Sequence, residues 1–356
     1  MSAEPSSPRQ RILRRYWEIL ALLCLALPLA GLLYLNQQAE KLVYFKYGKA
    51  KWGQQRPAAC TPARKKWVYG DLRPGHAGEV PLELTCEAAL QEPKQEETVQ
   101  NASGLPLHTV RYLTGSDAKR PWLVYISGAT STWLDATRYL PMARRLGFNL
   151  ASLDMSNHGI SGNNGKGLGF GCREKEDVVA LLDRVAQAYP QADLFLAGTS
   201  TGTMAIANAA GILNKRPYAA RIVATVLENP PSSVRDLMAF RQPHFPGFLY
   251  DLTAFLAGLQ TGLDFGHCAP VNQLGQWRYP TLVQMPGQDN LVSPEMARKV
   301  YQALPTDLPK RFVHYPQGYH AALWNAQPQI FEADFKAIWE TGLRFRQAQQ
   351  AGKVVR

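Results

Sequence analysis

The stretch LAGTSTG, residues Leu196 to Gly202, decides how this chain is read. An apolar run, Leu194 to Ala197, ends in Gly198-Thr199-Ser200-Thr201-Gly202, and small residues and helix formers follow. Gly-x-Ser-x-Gly between a strand and a helix is the pattern of a nucleophile elbow. The turn forces the serine backbone into a strained conformation, so that its hydroxyl stands clear of the strand end. Strand and helix then approach too closely for side chains two places either side, which accounts for Gly198 and Gly202. Thr201, first in the helix, is left with a backbone N–H that has no helical partner.

Outward from this stretch, strand-like and helix-like runs alternate. Glu97–Val99 and Leu107–Leu113 read as a strand pair turning at Ser103-Gly104. Trp122–Ile126 is a continuous apolar run, as in a strand buried on both faces. A helix at Tyr139–Leu146 stops at Gly147, and Leu150–Leu153 is the next strand. A helix at Val178–Ala188 is followed by the elbow. Then come the strands Ile222–Leu227, Thr281–Met285 and Arg311–Tyr315, with helices at Pro294–Leu304 and from Ile330. Such alternation predicts an α/β fold: a mostly parallel central sheet with helices on both faces. Residues 231–278 are too long for one crossover helix. They carry Phe240, Phe245, Phe248, Tyr250, Phe255 and Leu259, and read as a short helical cap over the active edge of the sheet.

A serine hydroxyl needs a base, and the base needs an orienting carboxylate. Asp289 lies just past the strand Thr281–Met285, and His320 just past the strand ending at Tyr315. Loops at C-terminal strand ends are where open α/β sheets gather functional residues. His314 falls inside the last strand and is expected to pack there. The expected catalytic set is Ser200, Asp289 and His320. No Cys/His cluster points to a metal and no cofactor is implied. The run from Gly165-Lys166 to Gly171 is not a phosphate loop, because no Ser/Thr follows Lys166 and the glycines do not join a strand to a helix.

Gly198–Gly202 with Asp289 and His320 resembles the α/β-hydrolase superfamily. More narrowly, the chain resembles its monoacylglycerol lipase, lysophospholipase and serine aminopeptidase group. Ser127-Gly128-Ala129 stands where the family has His-Gly-x, and by that match Ala129 supplies the second oxyanion N–H beside Thr201. Asp154 to Gly162 is similar to the family's Asp…His-Gly-x-Ser loop, in which His158 is structural. The resemblance covers about residues 96–345. It implies acyl transfer to water through an acyl-enzyme, on esters such as monoglycerides or lysophospholipids. A serine aminopeptidase of the same fold, or an inactive membrane-anchored binding module, are the alternatives.

Charge places the chain near lipid. The 356 residues carry a net charge of +11, of which residues 1–66, with twelve Lys/Arg against three glutamates, hold +9. Basic residues flanking one apolar segment suit a membrane surface, and a nucleic-acid partner is not expected. That segment, Ile19–Leu35, is uncharged and follows Arg9, Arg11, Arg14 and Arg15, with Tyr16 and Trp17 as interface aromatics. The organisation expected is a basic tail (1–15), a transmembrane anchor (16–36), a basic juxtamembrane and irregular region (37–95), the hydrolase domain (96–345) and a C-terminal tail (346–356). Residues 37–66 read equally as a segment lying on headgroups or as a solvated linker. Four arginines before the anchor and Lys41, Lys46, Lys49 and Lys51 after it give only a slight lean to an inside N-terminus, and hence an extracytoplasmic domain. The even cysteine count beyond the anchor, Cys60, Cys86, Cys172 and Cys268, agrees. Four cysteines allow three pairings.

Overall fold

In the computed structural model, residues 8–52, 54–60 and 83–352 are described. Residues 61–82 of the region 37–95, which include a Pro74-Gly75 turn signal, lie outside them, as do both extreme termini.

Eight strands form one sheet: β1 (Gln95–Gln100), β2 (Pro106–Tyr112), β3 (Trp122–Ile126), β4 (Asn149–Leu153), β5 (Leu194–Thr199), β6 (Ile222–Glu228), β7 (Thr281–Pro286) and β8 (Lys310–Tyr315). Their spatial order is β1-β2-β4-β3-β5-β6-β7-β8. β1 and β2 pair antiparallel, as do β2 and β4; every other neighbour is parallel. The continuous apolar runs make sense in this arrangement. Successive side chains of β3 point to opposite faces, and both faces are covered. Trp122, Val124 and Ile126 join one core with the helices Lys175–Ala188 and Thr201–Asn208. Leu123 and Tyr125 join the other, with Tyr139, Leu140, Phe331 and Phe335.

The long N-terminal helix α1 (Pro8–Val43) is followed by α2 (Leu140–Leu146), α3 (Lys175–Ala188), α4 (Thr201–Asn208), α5 (Val234–Arg241), α6 (Gly247–Thr261), α7 (Pro294–Ala303) and α8 (Pro328–Gln350). α5 and α6 occupy the connection between β6 and β7, above the elbow. Arg346, near the end of α8, pairs with Asp193 at 2.6 Å. His314 does not pack as expected. β8 is the sheet edge, and its side chain is exposed there.

Among the described residues no helix is long and apolar enough to cross a membrane. The side chains of residues 8–15 and of Glu18, Ile19, Ala21 and Leu22 lie outside the description, so part of the expected span does too. Within α1, Leu20, Leu23, Leu25, Leu27, Leu29, Leu32 and Leu33 are each 44–74% exposed.

The C-terminal end of α1 is not a solvated linker. Ala39, Val43, Tyr44 and Trp52 are buried in one cluster with Leu168 and Phe170 of the glycine-rich loop and with Leu237 and Ala257 of the cap helices. Leu168 N–H donates to the Val43 carbonyl at 2.8 Å, and Gln260 donates to Asn36 Oδ1 at 2.9 Å. Two disulfides brace the same region. Cys172–Cys268 ties the glycine-rich loop to the end of the cap, and Cys60–Cys86 joins the chain after α1 to the start of the folded domain.

Candidate active site

Ser200 sits between β5 and α4 with φ 54° and ψ −124°, a conformation that costs an L-residue on the order of 1–3 kcal/mol. Its N–H donates to the Glu228 carbonyl at 3.0 Å, which holds the turn against β6. The glycines are sterically required. A Cβ on Gly202 would lie 2.2 Å from the Ile126 carbonyl oxygen, and one on Gly198 would lie 2.7 Å from Ile206 Cδ1. The loop after β3 passes directly beside the serine, since a Cβ on Gly128 would lie 3.2 Å from Ser200 Cβ. Ala129 and Thr201 therefore flank Ser200. All three line one cavity of about 900 Å³.

His320 lies in the loop after β8 and lines the same cavity. Its Nδ1 is 2.7 Å from Asp289 Oδ2. The Asp289 side chain is fully buried, and its Oδ1 accepts from the N–H groups of Leu291 at 2.7 Å and Val292 at 2.9 Å. Those two bonds fix the carboxylate and leave Oδ2 for the imidazole. The loops carrying Asp289 and His320 are joined where Gln288 N–H donates to the Gly318 carbonyl at 3.0 Å. Ser200 Oγ and His320 do not share a hydrogen bond in the structure. Such contacts commonly tighten only with substrate bound.

Beneath the elbow lies a buried polar network with no sequence signal. Glu228 Oε2 accepts from Thr199 Oγ1 at 2.7 Å and from the Tyr139 hydroxyl at 2.9 Å. The Arg138 guanidinium stands 3.9 Å from Glu228 and donates to the Tyr125 hydroxyl at 3.0 Å. Burial opposes the charge on Arg138, but the surrounding tyrosines and Glu228 outweigh it and keep the guanidinium firmly protonated. Arg138 also donates to the carbonyl of Ala321, the residue after His320, which has φ 56°. The network thus ties the serine turn, β6 and the histidine loop into one rigid unit.

The Asp154–Gly162 loop braces the site from the side. Asp154 is fully buried and accepts from the N–H groups of Trp133 at 2.8 Å and Ile160 at 3.1 Å. His158 bonds the Ser156 carbonyl through Nδ1 at 2.8 Å, and its burial lowers its pKa, so it is held neutral. The amides of Gly169 and Gly171 are taken by the Glu174 carboxylate, at 2.7 and 2.8 Å, rather than left for an anion. Of the aromatic residues carried by the cap, Phe245 and Tyr250 line the cavity. Phe248, Phe255 and Leu259 face outward from α6, each more than 60% exposed, because Tyr250, Thr253, Ala257 and Thr261 occupy its inner face. The wall that sequence reasoning missed is α1 and the chain after it. Tyr34, Leu35, Leu42 and Phe45 all line the cavity.

Neither a protein-family model nor a curated protein matches the sequence. Solved structures do. The esterase Pf2001 of Pyrococcus furiosus superposes with a TM-score of 0.55 at 15% identity, over 81% of this chain and 98% of its own. Est1E of Butyrivibrio proteoclasticus, solved with ferulic acid bound, gives a TM-score of 0.52 at 15% identity, over 70% of this chain and 98% of its own. Dipeptidyl peptidase 4 of Porphyromonas gingivalis gives 0.53 at 16% identity, over 70% of this chain and 35% of its own. Ester and peptide chemistry are both represented on this scaffold, so the likeness shows the fold and not the bond cleaved. The chain has the α/β-hydrolase fold.

Proposed function

We propose that the protein is a membrane-anchored serine hydrolase that cleaves carboxylic esters of acyl lipids through a Ser200–His320–Asp289 triad. The observation that carries the reading is the strained Ser200 turn, opening on the same cavity as a histidine whose Nδ1 is held by a buried carboxylate. His320 Nε2 removes the Ser200 proton as Oγ attacks the carbonyl carbon. Asp289 keeps the proton on Nδ1 and stabilises the imidazolium that forms. The N–H groups of Thr201 and Ala129 receive the oxyanion, each worth about 3 kcal/mol of barrier. His320 then protonates the leaving alcohol, and water repeats the attack on the acyl-enzyme.

An ester is favoured over a peptide by the charge of the cavity. An aminopeptidase needs a carboxylate to receive the substrate's amine. Among the described lining residues the one carboxylate is Asp135, which is buried and faces the N–H of Thr132. The cap aspartates are engaged elsewhere: Asp236 by Lys299, Asp251 by Arg235, Asp264 by the N–H groups of Gly266 and His267. An acyl chain is favoured by the apolar wall of Leu42, Phe45, Leu237, Met238, Phe245 and Leu249.

The membrane part of the proposal rests on the exposed leucines of α1, which no other described element covers, and on the uncharged run Ile19–Leu35. The outward Phe248, Phe255 and Leu259 of α6 lie on the helix packed beside α1. Two disulfides favour an extracytoplasmic domain.

The test is fluorophosphonate labelling of the full chain in detergent, beside Ser200→Ala, followed by an ester series of rising acyl length. Labelling lost in the variant and a rate rising with chain length are expected. A folded wild type that takes no label even in lipid nanodiscs sinks the hydrolase reading.

A further inference from the structure

The cavity is apolar where an acyl chain would lie, yet its α1 side carries a concentration of positive charge. Lys41, Lys46, Arg56 and Arg241 all line it. Arg138 lines it too, but it is consumed by Tyr125, Ala321 and Glu228. The other four have no carboxylate partner among the described residues. Three of them rest on aromatic rings of the wall, and Arg56 also donates to the Lys51 carbonyl. The Arg56 guanidinium lies 3.6 Å from the centre of the Tyr47 ring and Lys46 Nζ lies 5.7 Å from it, while Arg241, from the end of α5, stands 5.5 Å from the Phe45 ring. Lys41, in the last turn of α1, is four residues before Phe45. The four cations are thus gathered around Phe45-Lys46-Tyr47, where the segment after α1 meets the cap.

This arrangement is asymmetric in a way that cap packing does not require. A cavity for neutral esters gains nothing from four cations at one side with no carboxylate partner among the described residues, and like charges gathered there repel. A negative group on the substrate would relieve that repulsion. The side in question also adjoins Tyr34 and Leu35, at the end of the uncharged stretch of α1, where a lipid leaving a bilayer would present its headgroup.

Building on the hydrolase reading, we infer that the cavity takes a single-chain acyl ester whose headgroup is anionic. Lys41, Lys46, Arg56 and Arg241 hold the negative group, and the acyl carbonyl reaches Ser200. The α1 segment is then a wall of the substrate site as well as a tether, which is why α1 is packed onto the cap rather than separated from it by a free linker.

The experiment uses the full chain in nonionic detergent, with three probes: lauroyl-glycerol, its 3-phosphate and the 3-phosphocholine ester. The expected result at low salt is a kcat/KM for the phosphate ester at least about tenfold above that of the neutral ester, shrinking as salt screens the cations. In Lys41→Gln/Lys46→Gln/Arg241→Gln, the ratio of the two kcat/KM values should fall by about the same factor. Arg56 is left in place because its side chain also holds the wall together, donating to the Lys51 carbonyl and stacking on the Tyr47 ring. Equal hydrolysis of neutral and anionic esters, or an unchanged ratio in the triple variant, overturns the inference. A second arm separates headgroup recognition from attraction to a charged surface: the neutral ester is assayed in anionic and zwitterionic nanodiscs. If anionic nanodiscs raise the neutral rate as much as the phosphate raises its own, the cations serve the membrane surface and the inference fails. Fluorophosphonate labelling of the same preparation keeps the two readings apart. A labelled enzyme without the preference refutes only this inference. An unlabelled one that still binds the non-hydrolysable ether analogue of the phosphate ester more tightly than the triple variant does refutes only the hydrolase reading.

Discussion

Asp289→Asn removes one charge while keeping the side chain's shape, and the geometry fixes its consequence. Oδ1 of Asp289 is held by two backbone N–H groups, from Leu291 and Val292, while Oδ2 faces His320 Nδ1. An asparagine can satisfy the two backbone donors only by placing its oxygen on them, which turns its NH2 toward Nδ1. The flipped amide would set NH2 against two N–H donors in a fully buried place, at roughly 1–3 kcal/mol for each group left unmet. The unflipped form therefore dominates. Nδ1 must then accept, so the neutral ring carries its proton on Nε2, the nitrogen that has to take the proton from Ser200. The same wrong tautomer in the Ser-His-Asp template lowers kcat by about 10⁴, equivalent to about 5.5 kcal/mol. Folding should be spared, because every buried hydrogen-bonding atom keeps a partner. The assay is kcat on a soluble butyrate ester, together with the second-order rate of fluorophosphonate inactivation and a thermal melt. A variant that melts like wild type and retains kcat within about tenfold would refute the assignment of Asp289 as the orienting carboxylate.

Gly202→Ala should abolish labelling of Ser200 and lower the melting temperature, since its Cβ would press a backbone carbonyl at 2.2 Å; overpacking of this kind costs about 1–3 kcal/mol or more. A stable, fully labelled alanine variant would show that the close approach of α4 to β3 is not the constraint. Replacing Cys172 and Cys268 together by alanine removes a cross-link over 96 residues, worth up to about 5 kcal/mol, and should expose the α5–α6 segment to protease while Cys60–Cys86 stays intact. Equal protease resistance with and without the bond would contradict its role in holding the cap. Asp177 gives a pH signature. Burial pushes its carboxyl up to about 7, against the opposing bonds from Asn101 and Ser156. The unfolded chain releases this proton near the ordinary value of 3.8 and the folded chain holds it longer. Stability from this group is thus complete below about pH 4 and declines toward pH 7, by on the order of 4 kcal/mol at most. Denaturant midpoints measured from pH 4 to 8 should fall more steeply in wild type than in Asp177→Asn, and parallel curves would remove Asp177 as the cause.

The sheet and the elbow were legible because their signals are local. β3 and β5 are uninterrupted apolar runs, and only a strand covered on both faces needs them. Gly198 and Gly202 report a close approach that any side chain would block. Asp289 and His320 were legible as positions, each just past a strand end, while their 2.7 Å contact belongs to the folded chain alone. Arg138 and Glu228 were invisible for the opposite reason. A single charge in a sequence is normally solvated, and only the fold brings these two to 3.9 Å beneath the serine. The cap phenylalanines could be counted but not oriented, because composition carries no direction. At Phe248 and Phe255 the helix turns the ring outward.

The segment after α1 is the instructive case, since it bears on which protein should be assayed. Tyr44, Lys46, Tyr47 and Trp52 look like a headgroup-binding linker, and a linker can be cut away with the anchor. Yet Trp52 is only 1% exposed, Val43 is fully buried, and Leu42 and Phe45 form part of the cavity that holds Ser200. Trimming the chain before the sheet would open one side of that cavity and strip Leu168 of its bond to the Val43 carbonyl. It would also remove three of the four cations in question. A truncated enzyme that keeps the triad would still be expected to react with a small fluorophosphonate, because Ser200, His320 and Asp289 are positioned by β5, β7 and β8. It would be expected to lose chain-length and headgroup preference together. Such a separation of nucleophile reactivity from substrate choice is the mark of a site whose chemistry is built on the sheet and whose selectivity is built partly on α1.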